Sequence, residues 1–250
     1  ELGIYEWTLS NGAKVALKPT DFKNDEILFQ AFSWGGRSLV PDSDFVTSLA
    51  VTSIISRSGL GNFNQDQLEK YLADKIVSVT PSVSDYSEGF RVSSSVKDMK
   101  TLFEMIHLYF TNPRVDKEAF NSYKTQLLSD IVDSQNDPES IFWDSVNYIQ
   151  WNRHFRKKPW TKEMVESIDM SKTYDIFTQR YSNASDFIFL FVGNFTPDSI
   201  KPFITKYIAS LPSEKATEKW KDVGIRYISG KQANEVHKGI EQKSYVYMSI

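Results

Sequence analysis

Short segments in which apolar and polar residues alternate predict the strands of a sheet. Residues 7–17 alternate around an Asn-Gly pair, which is typical of a hairpin turn that leads into a strand. Residues 26–34 are apolar on both faces and end at two glycines, which predicts an interior strand. Residues 77–83 and 90–96 alternate on either side of a polar turn and predict an antiparallel pair.

Apolar residues at helical spacing fill most of the remaining chain. The predicted helices cover residues 43–58, 65–74, 99–110, 116–150, 161–168, 171–181 and 196–211, with a break near Asp137-Pro138 in the longest and an apolar strand at 187–192 before the last. Asp98 and Thr196 are candidate N-caps, and the acids Asp42 and Asp44 fit the same role. Strands and helices come in blocks and not in strict βαβ order. We therefore predict an α+β fold, a two-layer domain with a mainly antiparallel sheet covered by helices.

The composition changes after residue 212, and this change predicts the domain organisation. Residues 1–212 carry the strands and helices of one domain, whereas residues 213–235 are charged and poor in aliphatic side chains, as linkers are. Residues 236–250 return to an apolar alternation and are expected to be the truncated start of a following domain. The chain opens at Glu1 without a signal-like apolar segment, so we expect it to be part of a longer polypeptide.

The charge and composition exclude several classes of function. The formal net charge is −3 and the pI is near 5.7, so no overall field would attract DNA or an anionic membrane. Without cysteine, the chain cannot form a disulfide framework, a Cys-ligated metal site or a thiol nucleophile. The longest strongly apolar stretch, residues 187–192, is far shorter than the ~18 residues of a membrane span. No membrane span is therefore expected.

The polar residues do not form a catalytic constellation. His107, His154 and His237 lie 47 and 83 residues apart, and neither H-E-x-x-H nor H-x-x-E-H occurs. The serine run at residues 93–95 has no nearby histidine that could act as its base. We interpret these residues as structural. No catalytic, cofactor-binding or metal-ligating residue is predicted, and the residues alone indicate a non-catalytic α+β domain.

Basic and aromatic residues interleave in residues 151–160, a pattern that is typical of proteins binding single-stranded nucleic acid. The acidic balance of the whole chain argues against that function. Because Pro159 follows a long predicted helix, we favour a solvated connector whose tryptophans pack back on the domain. Contact with a peptide or with an acidic partner is the alternative interpretation.

Four motifs, read in order, resemble the pitrilysin/insulinase family of zinc metallopeptidases. They are LSNGAKVALK at 9–18, FSWGGRSL at 32–39, YFTNPR at 109–114 and DFIFLFVGNF at 186–195, the last followed by a predicted helix that ends in Ser-Leu-Pro. The likeness covers about residues 5–212 and is greatest to an inactive repeat of the long, four-repeat bacterial members. It implies the LuxS/mitochondrial-processing-peptidase-like metallohydrolase fold.

In active repeats of that family, an H-x-x-E-H motif lies on the first helix after the strand that ends in glycine. Its two histidines and a distal glutamate hold zinc, and its own glutamate activates water. Between Arg37 and Leu60 the chain has neither His nor Glu, and the corresponding helix carries Val51, Ile54 and Ile55 instead. None of the family's catalytic residues can be assigned to this chain.

The later helix, where the distal ligand would lie, offers only Asp130 and Asp133. The resemblance implies a parent enzyme with zinc in another repeat, shaped as two halves that enclose a chamber. The partners of this segment would be the other repeats of the same polypeptide and a peptide substrate, without nucleic acid or a membrane span. The repeat would form chamber wall and help to bind extended peptide at a sheet edge or a polar surface.

We therefore expect a non-catalytic repeat of a zinc endopeptidase, itself inactive although its parent is an enzyme. The alternative is a scaffold or assembly module of a protease-like protein that has no peptidase activity. An H-x-x-E-H motif in an earlier repeat of the parent would favour the first reading, and its absence would favour the second. By analogy with bacterial relatives, a periplasmic or otherwise exported location is expected.

Overall fold

The structure, a computed structural model, describes residues 3–214, 216–239 and 244–248. The strands are β1 (Tyr5–Thr8), β2 (Lys14–Pro19), β3 (Ile27–Trp34), β4 (Val77–Val83), β5 (Ser87–Ser94) and β6 (Ile188–Gly193). The α-helices are α1 (Phe45–Arg57), α2 (Gln65–Leu72), α3 (Met99–Thr111), α4 (Lys117–Asn136), α5 (Pro138–Gln150), α6 (Lys162–Glu166), α7 (Met170–Arg180) and α8 (Pro197–Phe203). The chain divides into two compact units, residues 1–120 with 169–221 and residues 121–168 with 222–250.

The first unit contains one six-stranded sheet with the order β1-β2-β6-β3-β5-β4. The pair β2 and β6 is parallel, and the other four pairs are antiparallel. The sheet is mixed but mainly antiparallel, and its helices supply one layer against it, so the predicted α+β fold is confirmed. Strand β3 lies between β6 and β5, as its position as an interior strand required.

The hydrophobic core of the first unit lies between one face of the sheet and helices α1, α3, α7 and α8. Aromatic rings fill its centre: Phe191 of β6 lies 4.5 Å from Phe29 of β3 and 5.2 Å from Phe103 of α3, measured between ring centroids. All three side chains are buried. Close packing of such large rings contributes stability beyond the area that each ring buries.

Strand β3 is an interior strand, as predicted, but only one of its two apolar faces is buried. Its burial alternates residue by residue, so that Phe29 is 3% exposed and its neighbour Leu28 is 46% exposed. Apolar composition on both faces is typical of a strand covered on both sides, but only one face of this sheet carries the helices of the core.

Two of the predicted helix caps are also corrected. Asp98 precedes α3, but its carboxylate accepts hydrogen bonds from Ile76 N–H (2.9 Å) and the Ser95 hydroxyl (2.6 Å) and caps no helical amide. Asp44 precedes α1 and pairs with Lys172. Thr196 does cap α8, where its hydroxyl oxygen accepts from the amide of the third helical residue.

The second unit is built on α4, α5 and α6. The predicted break in the long helical region is confirmed at Asp137, whose carboxylate accepts from the amides of Glu139 (3.4 Å) and Ser140 (2.9 Å) and begins α5. Lys124 of α4 donates to the carbonyl of Ile168, at the end of this unit (3.2 Å). Residues 222–239 and 244–248 of this unit, as far as they are described, have no regular secondary structure.

Part of the predicted start of a following domain, at residues 240–243 and 249–250, lies outside the described residues. That prediction, and the linker predicted for residues 213–235, stay predictions. None of the helices that the structure describes combines the length and the apolar character needed to cross a membrane.

Candidate functional site

Helix α1 is the first α-helix after β3, and it is the helix on which the family resemblance would place a metal-binding motif. Its side chains Val51, Ile54 and Ile55 are 0% exposed and pack as core residues. Aliphatic side chains cannot ligate zinc or activate water. These side chains of α1 therefore contribute to the hydrophobic core of the first unit.

The three histidines each have an ordinary hydrogen-bond partner. His107 Nδ1 lies 3.0 Å from the carbonyl oxygen of Tyr207 and donates to it. His154 Nδ1 accepts from Arg156 N–H at 3.2 Å, which leaves its Nε2 to donate to the Val223 carbonyl at 3.1 Å. These contacts stabilise local structure, and in His154 they engage both ring nitrogens.

The acids considered for metal binding are equally dispersed. Asp130 and Asp133 are exposed on α4, and Asp130 accepts a hydrogen bond from Gln126 at 2.8 Å. His237 is exposed and lies 3.1 Å from Glu235. Within the part of the chain that the structure describes, no three His, Asp or Glu side chains converge as a metal site would need.

The basic and aromatic loop at residues 151–160 packs within the second unit. The Trp151 ring lies 4.1 Å from that of Tyr227, and the Lys157 ammonium lies 5.1 Å from the Trp151 ring centroid. Asn152 and Arg153 adopt the left-handed backbone region, with φ of 53° and 52°. This tight turn places the Trp151 ring against Tyr227 of the same unit, the kind of packing expected for a connector loop.

The sheet face opposite the core is a candidate binding surface of the first unit. We call it the outward face. Its centre is apolar because strands β2, β3 and β6 direct seven apolar side chains to it: Ala16, Leu28, Phe32, Trp34, Ile188, Leu190 and Val192. Leu28, Trp34 and Ile188 are each about half exposed, at 46%, 53% and 48%. Contiguous exposed apolar patches are typical of interaction surfaces, which makes this face a candidate.

The register fixes how the outward face is arranged. Phe32 lies opposite Ile188 and Leu28 lies opposite Val192, so apolar side chains of β3 and β6 form a stripe across the strands. The exposed Gln30, opposite Leu190, is the polar side chain within it. The rings of Phe32 and Trp34 meet edge to face at 4.8 Å and extend the stripe along β3. A stripe of this kind resembles the contact surface for an extended apolar segment.

Charge on the outward face is predominantly positive. Lys14 and Lys18 lie on β2, on one side of the apolar stripe, and Arg91 lies on β5, on the other. At the outward positions of the six strands, all of which the structure describes, Glu6 on β1 is the single acid. The face therefore favours an apolar ligand that also carries negative charge.

Both edges of the sheet are poor places to add a strand. Strand β1 has four residues, and short edge strands offer few hydrogen bonds. On β4, Pro81 has no N–H, and Ser82 N–H already donates to the Tyr181 hydroxyl at 3.2 Å. The sequence suggested a sheet edge or a polar surface for peptide binding; the edges are poor sites, and the surface that the sheet offers is apolar at its centre.

One buried carboxyl group lies at the end of the sheet. Glu88 of β5 is 2% exposed and accepts a hydrogen bond from Gly36 N–H at 2.5 Å. Burial raises the pKa of Glu88 to about 7, while the Gly36 amide and the charge of Arg180 lower it and Glu218 adds to the rise. Sequence reasoning missed this group because nothing in its local pattern shows that it is buried.

Comparisons with known proteins agree with the fold. No known protein-family profile matches the chain. It is 25% identical over 213 residues to a zinc protease PQQL-like protein of Arabidopsis thaliana, covering 85% of this chain and 20% of that protein. It is 21% identical over 213 residues to the probable zinc protease PqqL of Haemophilus influenzae, covering 84% of this chain and 23% of that protein. The chain thus spans about a fifth of these relatives.

Solved structures give the same result. The periplasmic protease PqqL of Escherichia coli superposes with a TM-score of 0.77 at 20% identity, over 90% of this chain and 25% of that one. A peptidase M16 inactive domain from Pseudomonas fluorescens superposes with a TM-score of 0.70 at 13% identity, over 88% of this chain and 53% of that one. The chain shares the fold of about a quarter of the first of these longer chains and of about half of the second.

Proposed function

Because the chain belongs to the pitrilysin/insulinase family of zinc metallopeptidases, we propose that it is a catalytically silent repeat whose outward face contacts extended peptide. The observation that carries this proposal is the exposed apolar stripe on strands β3 and β6. A structural repeat without a ligand would have polar side chains on the solvent side of its sheet, as antiparallel sheets with one covered face do.

The parent protein supplies the chemistry in this proposal. Its zinc ion is held by another repeat, and this repeat forms part of the wall of the chamber in which peptide is cleaved. Residues 1–212 are the repeat, residues 213–235 connect it to the next one, and residues 236–250 begin that next repeat. We propose an exported parent by analogy with the periplasmic E. coli protease.

The ligand chemistry follows from the side chains of the outward face. Apolar groups of a peptide can cover Leu28 and Leu190, and acidic groups of the same peptide can pair with Lys14 and Arg91 on either side. An extended peptide in which Leu alternates with Glu has this composition. A peptide in which Leu alternates with Lys has the same apolar content and the opposite charge, so it isolates the electrostatic contribution.

Fluorescence anisotropy of the two labelled peptides tests the proposal. We expect the Leu-Glu peptide to bind more tightly than the Leu-Lys peptide, and the double variant Leu28→Thr/Leu190→Thr to weaken its binding by about tenfold or more, because two apolar contacts are lost. Val132→Thr is the matched control, since Val132 is 56% exposed on α4 and lies outside the sheet. Wild-type affinity in the double variant, or equal affinity for both peptides, would show that the outward face is not the binding surface.

Metal analysis tests the silent character of the repeat separately. After equilibration with zinc and removal of loosely held metal, we expect no stoichiometric zinc and no hydrolysis of unstructured peptides. Stoichiometric zinc together with activity that a chelator abolishes would refute the assignment, whatever the peptide-binding result.

A further inference from the structure

Residues 216–221, which we call the strap, have no regular secondary structure yet are bound to the first unit. The Asn183 side-chain amide donates to the Ala216 carbonyl at 2.7 Å. Glu218 N–H donates to the Asp186 carboxylate at 2.8 Å. Because backbone groups of the strap are satisfied by side chains of the domain, this segment does not behave as a solvated linker.

The far end of the strap is held at the turn after β3. Lys221 N–H donates to the Ser38 hydroxyl at 2.9 Å, and that hydroxyl in turn donates to the Gly35 carbonyl at 2.5 Å. The Trp220 ring meets the Tyr86 ring edge to face at 5.4 Å. The strap is thus anchored at both ends.

An ion pair fastens its middle. Arg180, at the end of α7, donates to both carboxylate oxygens of Glu218, at 2.7 and 3.3 Å. The Arg180 side chain is 8% exposed and that of Glu218 is 41% exposed, so solvent screens the pair from the Glu218 side. A Cβ atom at Gly35 would lie 2.9 Å from the guanidinium, so glycine at that position leaves the room that the pair needs.

The buried Glu88 carboxyl lies beside this ion pair. It accepts from the Gly36 amide, contacts the Ser33 hydroxyl, and senses the charges of Arg180 and Glu218. We propose that the strap is a pH-dependent clamp. Residues 216–221 are held against the first unit while Glu88 is protonated, and they loosen when Glu88 ionises.

The direction follows from proton linkage. In the closed clamp, burial raises the pKa of Glu88 to about 7 from its ordinary 4.5. Opening admits water and removes the negative Glu218, while Arg180 becomes available to Glu88, so all three changes lower that pKa. A proton held more tightly in the closed form favours closure at low pH. Between the two pKa values, the equilibrium constant for opening therefore rises by up to about tenfold for each unit of pH.

Two neighbouring titratable groups lie close to the strap. Burial raises the pKa of Asp186, whereas the hydrogen bond that it accepts from Glu218 N–H lowers it, so the contacts of Asp186 with the strap act in opposite directions. Tyr181, next to Arg180 on α7, is fully buried, and its burial raises the phenol pKa well above the ordinary value. It stays neutral throughout the transition.

Amide hydrogen exchange on the whole chain, measured by NMR and corrected for the intrinsic rate, tests the clamp. Between about pH 6 and about pH 8 we expect the protection of the Glu218 and Lys221 amides to fall by up to about tenfold and to stay well below that of the Phe29 amide in β3, which reports global unfolding. In Glu88→Gln the protection should be independent of pH. In the control Glu69→Gln, which changes an exposed acid on α2, the wild-type dependence should remain.

Two results would overturn the clamp. One is a wild-type protection that does not change with pH, and the other is an unaltered pH dependence in Glu88→Gln. A second measurement serves if that variant does not fold: carboxyl NMR titration of Glu88 in the wild type and in Glu218→Ala. The pKa of Glu88 should be lower in Glu218→Ala, and an unchanged pKa would contradict the coupling between strap and carboxyl.

Discussion

Leu28 and Phe29 are neighbours on β3 and lie on opposite faces of the sheet, so they give a matched test of which face is buried. Phe29 is 3% exposed, with its ring centroid 4.5 Å from that of Phe191 and 6.1 Å from that of Phe189. Truncating such a side chain loses its burial and leaves a cavity. We expect Phe29→Ala to lower the free energy of unfolding by about 3–5 kcal/mol.

Leu28 is 46% exposed, so folding gains only about half of the free energy of moving its side chain out of water. Full burial of a leucine side chain contributes about 1.5–3 kcal/mol, and threonine is well suited to a strand. We expect Leu28→Thr to lower the free energy of unfolding by about 1 kcal/mol. The difference between neighbours is thus about 2–4 kcal/mol, several times the error of a denaturation experiment.

Urea unfolding followed through the methyl NMR signals of Ile27 and Ile54, both in the first unit, measures these free energies directly. Equal losses in the two variants would show that the outward face is covered in the folded chain, and the peptide-binding proposal would lose its basis. If instead Leu28→Thr keeps most of the stability, loss of peptide affinity in the double variant reports on contact and not on unfolding.

Other predictions concern the polar groups around the sheet. Glu88→Gln should remove about 3 kcal/mol of pH dependence, because the wild type loses stability as pH rises from about 4.5 through about 7. Over that window the unfolding free energy of the variant should rise relative to that of the wild type. A difference that does not change with pH would contradict the raised pKa of Glu88. Tyr181→Phe should cost about 1–2 kcal/mol in urea unfolding, because the buried hydroxyl bonds the carbonyls of Ser82 (2.9 Å) and Gly89 (2.7 Å); an unchanged midpoint would contradict those bonds. Gly36→Ala should cost at least about 1 kcal/mol, since φ is 55° and a Cβ would lie 2.4 Å from a backbone carbonyl oxygen; unaltered thermal unfolding would contradict this geometry.

Much of the fold could be predicted from the sequence because local patterns determine it. The Asn-Gly turn, the break at Asp137 and the capping hydroxyl of Thr196 each act on their own few residues, and all three are found where predicted. The caps at Asp44 and Asp98 failed for the opposite reason. Each carboxylate found a partner distant in sequence, Lys172 for one and the Ile76 amide for the other, which outcompeted the helix amides.

The candidate site could be predicted only in part. The missing metal motif is visible in the sequence, and the structure adds that Val51, Ile54 and Ile55 are core residues. The outward face left a signal, the apolar composition of both faces of β3, but the same pattern is produced by a strand that is covered twice. Whether one or both faces of β3 are covered depends on how the whole sheet is assembled. That assembly includes the pairing of β3 with β6, which comes more than 150 residues later in the chain.

Methyl NMR of the whole chain, titrated with the peptide in which Leu alternates with Glu, tests the central claim most directly. We predict that the methyl signals of Leu28 and Leu190 on the outward face shift together and saturate, while those of Val51 and Ile54 on α1 do not move. Shifts that are confined to α1 and its neighbours, or no shift on the outward face at saturating peptide, would contradict the assignment of peptide contact to this sheet.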